Sequence, residues 1–267
     1  MRWDPGQYGR YGDERGRPFH ELLARIEATS RRSTDPTYVV DLGCGPGELT
    51  RGLAERWPRA HVVGVDSSPD MIAAAAGRAL DGRLEFVEAD LATWRPHRPA
   101  DLIIANAALH WVPGHVDLIA PLAATLAPDG ALAFQVPDNF GEPSHTLLRD
   151  LRLSPRWRDL LADGADRGAG VERPERYLEA LVAAGLHPDV WQTEYLHVLP
   201  GDDAVLEWVK GTALRPVLSV LGGRDRDEFL DEYGATLRAA YPQRPFGTLF
   251  PFRRTFAIGR AGNPGPA

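Results

Sequence analysis

Polar residues close four short apolar runs in the first half of the chain. Asp41 follows Tyr38-Val39-Val40, Asp66 follows His61-Val62-Val63-Gly64-Val65, Asp90 follows Leu84 to Ala89, and Asn106 follows Leu102-Ile103-Ile104-Ala105. Just after the first run, Gly43, Gly45 and Gly47 stand at alternate positions. Carboxylates at strand ends, beside a glycine turn that exposes backbone N–H groups, are how doubly wound α/β sheets hold nucleotide-like ligands. The spacing is G-x-G-x-G, which is neither the G-x-G-x-x-G of dinucleotide folds nor a phosphate loop, and no lysine lies near the turn. The implied chemistry is binding of a nucleoside without a pyrophosphate. A nicotinamide oxidoreductase does not fit that spacing.

Asp66 closes its run nineteen positions after Gly47. There a carboxylate can accept from both ribose hydroxyls, although Asp is also a good helix N-cap. Asp90 can accept from an exocyclic adenine amine while Leu91 offers its backbone N–H to the ring; a simple turn aspartate is the other reading. Cys44, the single cysteine, reads as a small buried residue within the turn.

Strands alternating with helices must position these groups. Strands are predicted at 37–41, 61–66, 84–88, 102–105 and 131–136. Helices are predicted at 47–57, 70–80 and 116–126, the last stopped by the turn signal Pro128-Asp129-Gly130. This alternation implies an α/β fold, a doubly wound and mostly parallel sheet with right-handed crossovers. Beyond Pro137 the pattern changes. Residues 144–185 read as mostly helical with a loop across 162–170, 190–199 as a strand, 202–212 and 224–240 as helices, and 252–260 as a final strand. The organisation predicted is an N-terminal lid or helix at 1–35, a ligand-binding core at 36–140, and helical insertions forming a cap at 141–250. A last sheet strand at 251–260 and a disordered tail at 261–267 complete it.

The bulk properties bound the rest. At 267 residues the chain suits one large α/β domain, or a domain with a smaller addition. Its net charge of −7 disfavours nucleic acid as a partner. One cysteine excludes an intramolecular disulfide, and no Cys/His set has metal spacing, so no metal is expected. Without a signal-like N-terminus or a long apolar run, the chain reads as cytoplasmic with no membrane partner. Nothing in the pattern decides the oligomeric state.

Taken together, Asp41-Leu42-Gly43-Cys44-Gly45-Pro46-Gly47, Asp66-Ser67-Ser68-Pro69 and Glu88-Ala89-Asp90 resemble a class I S-adenosylmethionine-dependent methyltransferase. More narrowly, the chain resembles the trans-aconitate 2-methyltransferase family over nearly its whole length. That likeness rests on Trp3-Asp4-Pro5 with Tyr8, Asn106 to Pro113, Pro137-Asp138-Asn139, Val190 to His197, and Phe250 to Arg254. The resemblance implies a Rossmann-like sheet of seven strands, the last antiparallel near 252–259. It implies S-adenosylmethionine as methyl donor, a small polycarboxylate as acceptor, and O-methylation to a monomethyl ester. The cofactor residues it implies are Asp41, Gly43, Gly45, Gly47, Asp66, Ser67, Met71, Asp90, Leu91 and Asn106.

Methylating a carboxylate needs no general base, because the nucleophile is ionised at neutral pH. What it needs is orientation, which can supply roughly 7–11 kcal/mol, and clamps on the carboxylates that do not react. Arginine grips carboxylates bidentately, and arginines far outnumber lysines in this chain. The candidates are Arg215 and, in the last strand, Arg253 and Arg254, of which at most one faces the site, with Arg253 favoured. Arg15 or Arg17 could instead hold the carboxylate of the donor. Trp3, Tyr8 and Trp111 are candidate roofing aromatics, Trp3 and Tyr8 on an N-terminal lid. His110, with Arg215, is the candidate catalytic residue, as a donor or base, though a satisfied structural histidine is an equal reading. His145 and His197 read as structural. Two other functions remain open at this stage: a methyltransferase acting on a phenol, amine or carbon nucleophile, and a cofactor-binding protein without turnover.

Overall fold

The computed structural model describes residues 12–29, 35–161 and 170–262. Trp3, Tyr8 and the proposed lid around them lie outside those residues, as does most of the tail. The first helix, α1 (Gly12–Thr29), precedes the sheet. Strands β1 (Tyr38–Leu42), β2 (His61–Asp66), β3 (Leu84–Glu88) and β4 (Ala100–Asn106) follow, with α2 (Glu48–Arg56) and α3 (Pro69–Ala75) between them. Next come α4 (Ile119–Ala123), β5 (Leu126–Pro137), α5 (Pro143–Arg152) and α6 (Pro174–Ala183). Strand β6 (His187–Leu199), helices α7 (Ala204–Lys210), α8 (Arg215–Val220) and α9 (Gly223–Ala240), and strands β7 (Gln243–Arg244) and β8 (Gly247–Arg260) complete the order.

The sheet runs β3-β2-β1-β4-β5-β8-β6. The pairs among β1 to β5 are parallel, and β8 runs antiparallel to both of its neighbours. Seven strands form this path, and an eighth, the two-residue β7, folds back on the start of β8. The extra strand is thus a hairpin return. Both faces of the sheet are covered, which explains the nearly unbroken apolar run of β1. Val39, Leu102, Ile104, Ala133, Phe256 and Ile258 pack under α1 and α2 on one face. Val40, Ile103, Phe134 and Ala257 pack on the other face with Tyr177 and Leu181 of α6.

One boundary differs from expectation. Pro128-Asp129-Gly130 does not end an element; it lies inside β5, whose Leu126 pairs with Ala100 before the register shifts between Ala100 and Leu102. Asp129 sits there at φ 62°. The turn residues mark an irregularity in the strand. The long helix expected before it is correspondingly a 3₁₀ turn (His115–Leu118) and the short α4.

Strands β6 and β8 outrun the rest of the sheet. Their pairing continues from Glu194↔Arg253 to Leu199↔Thr248, beyond the Pro137↔Arg254 pair where β5 ends. This two-stranded extension carries the cap. Phe250 and Phe252 of the ribbon pack with Trp208 of α7, Val217 of α8, and Phe229, Tyr233 and Leu237 of α9 in a separate apolar cluster. A two-stranded ribbon alone is marginal in water, so the helices stabilise it over the carboxyl edge of the sheet.

Candidate active site

The carboxyl ends of β1, β2, β3 and β4 open on one edge, as the register of the parallel pairs requires. Beyond β1 the chain turns through Gly43 (φ 75°), Gly45 (φ 55°) and Gly47 (φ 81°), a left-handed path suited to glycine. The three glycines do different work. A Cβ on Gly43 would lie 2.2 Å from the Ala108 Cβ, and one on Gly47 would lie 2.7 Å from the Phe86 ring. A Cβ on Gly45 would meet nothing within 4 Å. Two glycines let protein approach protein, while the middle one leaves bare backbone beside open space.

Asp66 locks the turn to the next strand. Its Oδ2 accepts from Gly45 N at 2.9 Å and its Oδ1 from Ser68 N at 2.9 Å. Burial raises its pKa, and the N–H groups of Ser68, Gly45 and Ser67 oppose that rise. The Ser68 side chain caps α3 by accepting from Met71 N, and Met71 is buried behind it. Asp66 therefore fixes the turn, and the helix N-cap that it could have been is Ser68 instead. Asp90 is exposed and accepts from Ala92 N at 2.9 Å, while Leu91 is buried close to Gly43.

Asp41 is the buried carboxylate of the group. Thr50 Oγ1 of α2 donates to its Oδ2 at 2.7 Å. Burial pushes its pKa up to about 6; the Thr50 hydrogen bond acts against this and the Asp66 charge with it. A carboxylate so placed calls for a cation. This buried acceptor, the bare face of Gly45 and the strand-end carboxylate of Asp66 fit S-adenosylmethionine, which has an ammonium, a ribose and an adenine.

Past β4, Asn106 Oδ1 accepts from Gln135 Nε2 at 2.6 Å, and Gln135 Oε1 accepts from Arg254 Nη1 at 3.0 Å. This polar chain crosses β4, β5 and β8 on the α1/α2 side of the sheet, with Gln135 and Arg254 buried. Ala107 then adopts φ 51°, a strained angle for a residue with a Cβ, and leads into the 3₁₀ turn Leu109–Trp111. His110 is buried there, its ring 4.8 Å from that of Trp111 and 6.5 Å from that of Phe140. Burial, with the charges of His115, Arg254 and His145, holds its pKa down to about 3. His110 is neutral at physiological pH, and a weak base.

Of the two adjacent arginines, Arg254 is buried, 4.8 Å over the Phe252 ring. Arg253 is half exposed; its Nε donates to Asp138 O at 3.2 Å and pairs with the Asp138 carboxylate at 3.5 Å. The sequence named both arginines, with at most one facing the site, gave no role to Gln135 and favoured Arg253. The signal was available, because Arg254 shares strand parity with the apolar Phe256 and Ile258. Arg215 opens α8 in the cap with its Nε buried. Arg17 ion-pairs with Glu21 and stacks 5.0 Å over the Tyr195 ring, and nothing is described of the Arg15 side chain. Cys44 is buried, and burial raises its thiol pKa. Among the described residues no cluster has the ligands for a metal. No described helix is long and apolar enough to cross a membrane.

Comparison with known proteins sharpens this geometry. Residues 39–130, from β1 into β5, match the family described as a methyltransferase domain. A curated trans-aconitate 2-methyltransferase of Streptomyces avermitilis is 54% identical over 260 residues, covering 96% of each chain. Among solved structures, the YcgJ protein of Bacillus subtilis superposes with a TM-score of 0.60 at 14% identity, over 92% of this chain and 99% of that one. A phosphoethanolamine N-methyltransferase of Haemonchus contortus, solved with S-adenosylhomocysteine, gives 0.54 at 15% identity, over 91% of this chain and 52% of that one. At those identities the two structures speak for the fold alone.

Proposed function

We propose that this chain, which belongs to the trans-aconitate 2-methyltransferase family, esterifies one carboxylate of trans-aconitate with the methyl group of S-adenosylmethionine. What carries the reading is the 54% identity over 96% of both chains, which takes in the cap as well as the sheet. When bound, S-adenosylmethionine supplies an electrophilic methyl group on a sulfonium. Gly43, Gly45 and Gly47 shape the turn under its methionine part, and Asp41 orients the ammonium. Asp66 and Ser67 receive the ribose, Met71 backs them, Asp90 and Leu91 hold the adenine, and Asn106 closes the edge.

The acceptor oxygen needs no base, and the neutral, buried His110 accords with that. A phenol or amine acceptor would need a proton removed, for which a group titrating near 3 is ill suited. The protein's task is to hold a tricarboxylate so that one oxygen faces the methyl. Arg215, Trp111 and Arg253 are the acceptor residues assigned from the sequence, together with Trp3 and Tyr8. Purified protein given S-adenosylmethionine and, separately, trans-aconitate, cis-aconitate, citrate or no acceptor should release S-adenosylhomocysteine fastest with trans-aconitate. Equal release without acceptor, or with a phenol in its place, would overturn the assignment.

Asp41 makes cofactor binding pH-dependent. Its pKa is raised in the free protein to about 6, and a bound ammonium favours the ionised form. Affinity should therefore rise with pH up to about 6 and level off above it. The same raised pKa stabilises the ligand-free fold below the ordinary aspartate range of about 4, and that contribution is lost as pH rises through about 6. Thr50→Val removes the donor to the ionised carboxylate, so the affinity profile should move to higher pH. Calorimetric titration with S-adenosylhomocysteine across pH 5–8 reads both effects, and an unmoved profile would remove Asp41 from the cofactor site.

A further inference from the structure

Three polar side chains cross the sheet in one hydrogen-bonded chain that starts in the core and ends at the carboxyl edge. Arg254 Nη1 donates to Gln135 Oε1 at 3.0 Å, and Gln135 Nε2 donates to Asn106 Oδ1 at 2.6 Å. Arg254 and Gln135 are buried, whereas Asn106 is partly exposed where β4 ends. The strands set the spacing. Asn106 pairs with Gln135 across β4 and β5, and Arg254 pairs with Pro137 two residues on.

The buried end dictates the direction of the chain. A guanidinium has five N–H donors and no acceptor. Gln135 must therefore turn Oε1 to Arg254, which leaves its Nε2 for Asn106. Asn106 must answer with Oδ1, and its Nδ2 is left facing away from Gln135. Neither amide can flip without setting two N–H groups, or two oxygens, against each other. Hydrogen bonds in series also polarise one another, so the Arg254 charge makes Asn106 Nδ2 a stronger donor. The backbone is fixed as well. Ala107 N donates to Gln135 O at 3.0 Å, and Ala107 takes its φ of 51° directly after Asn106.

The place of this donor narrows its ligand. Strand β4 lies on the opposite side of β1 from β2 and β3, whose ends are proposed to take ribose and adenine. The turn after β4 abuts the glycine turn, since a Cβ on Gly43 would lie 2.2 Å from the Ala108 Cβ. A fixed donor suits a group that only accepts, and an ionised carboxylate is such a group. It does not suit an ammonium. A full cation at this point would also repel a sulfonium, whereas a polarised amide brings the pull of Arg254 to an anion without the charge itself.

We propose that Arg254 and Gln135 are positioning residues that fix Asn106 Nδ2 as a hydrogen-bond donor to a carboxylate oxygen of the acceptor. This rests on the function proposed above, which supplies an acceptor with carboxylates. The cofactor carries a carboxylate too, and the test separates the two sources.

Gln135→Glu reverses the chain with almost no change of shape. Arg254 holds the new carboxylate ionised, so it can only accept, and Asn106 must turn its Nδ2 inward and its Oδ1 to the acceptor. Calorimetric titration of trans-aconitate into this variant, loaded with S-adenosylhomocysteine, should show binding weakened by roughly 10- to 100-fold. The affinity for S-adenosylhomocysteine should stay at the wild-type value. A role in folding alone would instead lower the melting temperature and weaken both ligands together. Asn106→Asp keeps the oxygen that faces Gln135 and puts a charged oxygen in place of the donor, so it should weaken trans-aconitate binding further. It lies at a partly exposed strand end and keeps the test open if the buried variant fails to fold. Wild-type trans-aconitate affinity in either folded variant would overturn the proposal and leave the methyltransferase assignment standing. Weakened S-adenosylhomocysteine binding with trans-aconitate binding intact would also overturn it, and would give the donor to the cofactor. Wild-type protein that binds trans-aconitate yet never methylates it would overturn the assigned reaction, and the two variants would still decide this inference.

Discussion

Gly43→Ala and Gly45→Ala, two changes of one methyl group two residues apart, should fail in opposite ways. At Gly43 the new Cβ would sit 2.2 Å from the Ala108 Cβ at φ 75°. Left-handed backbone costs an alanine roughly 1–2 kcal/mol, and overpacking adds about 1–3 kcal/mol. A loss of roughly 2–5 kcal/mol corresponds to a fall in Tm of roughly 5–15 °C for a chain of this size. At Gly45 the new Cβ meets nothing within 4 Å at φ 55°. Only the backbone term of roughly 1–2 kcal/mol applies there. The methyl group projects instead into open space, the place proposed for the methionine part of the cofactor, and S-adenosylhomocysteine affinity should fall at least about tenfold, about 1.4 kcal/mol. Thermal unfolding and calorimetry on the two variants separate the cases. Equal melting temperatures with equal affinities would mean that the turn does not divide its glycines between packing and ligand.

Asp66→Ala should produce the largest loss of cofactor affinity at any single position. The carboxylate accepts from Gly45 N and Ser68 N, both at 2.9 Å, and so holds the turn in shape. Its removal leaves two partly buried N–H groups without that acceptor and takes away the proposed ribose contacts as well. Hydrogen bonds to charged groups contribute roughly 1.5–3 kcal/mol each. Losing two of them should weaken S-adenosylhomocysteine binding by roughly 100- to 1,000-fold or more. Asp66→Asn keeps one acceptor oxygen and should fall in between. Asp90→Ala should lose only about tenfold, because Asp90 is exposed and its own backbone contact is a local turn to Ala92. An Asp66→Ala protein with near wild-type affinity would remove the ribose from that strand end.

The strand ends proposed to hold the nucleoside were legible as strand ends because punctuation and hydrophobic pattern coincide there. Each of the first strands ends where its apolar run meets an acidic or amide residue, so β2 and β3 appear where expected and β1 is displaced by a single residue. The local rule failed at Pro128-Asp129-Gly130, since a turn triplet inside a strand is tolerated where the register shifts. The polar residues further along the sheet were less legible. Beyond the nucleoside edge, only tertiary pairing of β4, β5 and β8 brings Asn106, Gln135 and Arg254 into one chain of hydrogen bonds. His197 reads from the sequence as one more residue of an alternating strand. Its frame of Tyr195, Trp208 and Phe252 forms only when the cap folds onto the ribbon.

The most direct measurement is the chemical identity of the product. Protein incubated with methyl-labelled S-adenosylmethionine and trans-aconitate should yield a singly methylated tricarboxylate whose label is released by mild base, returning trans-aconitate. That lability is the mark of a methyl ester. A base-stable methylated product, or label transferred equally well to a phenol or an amine, would contradict carboxylate esterification at this site.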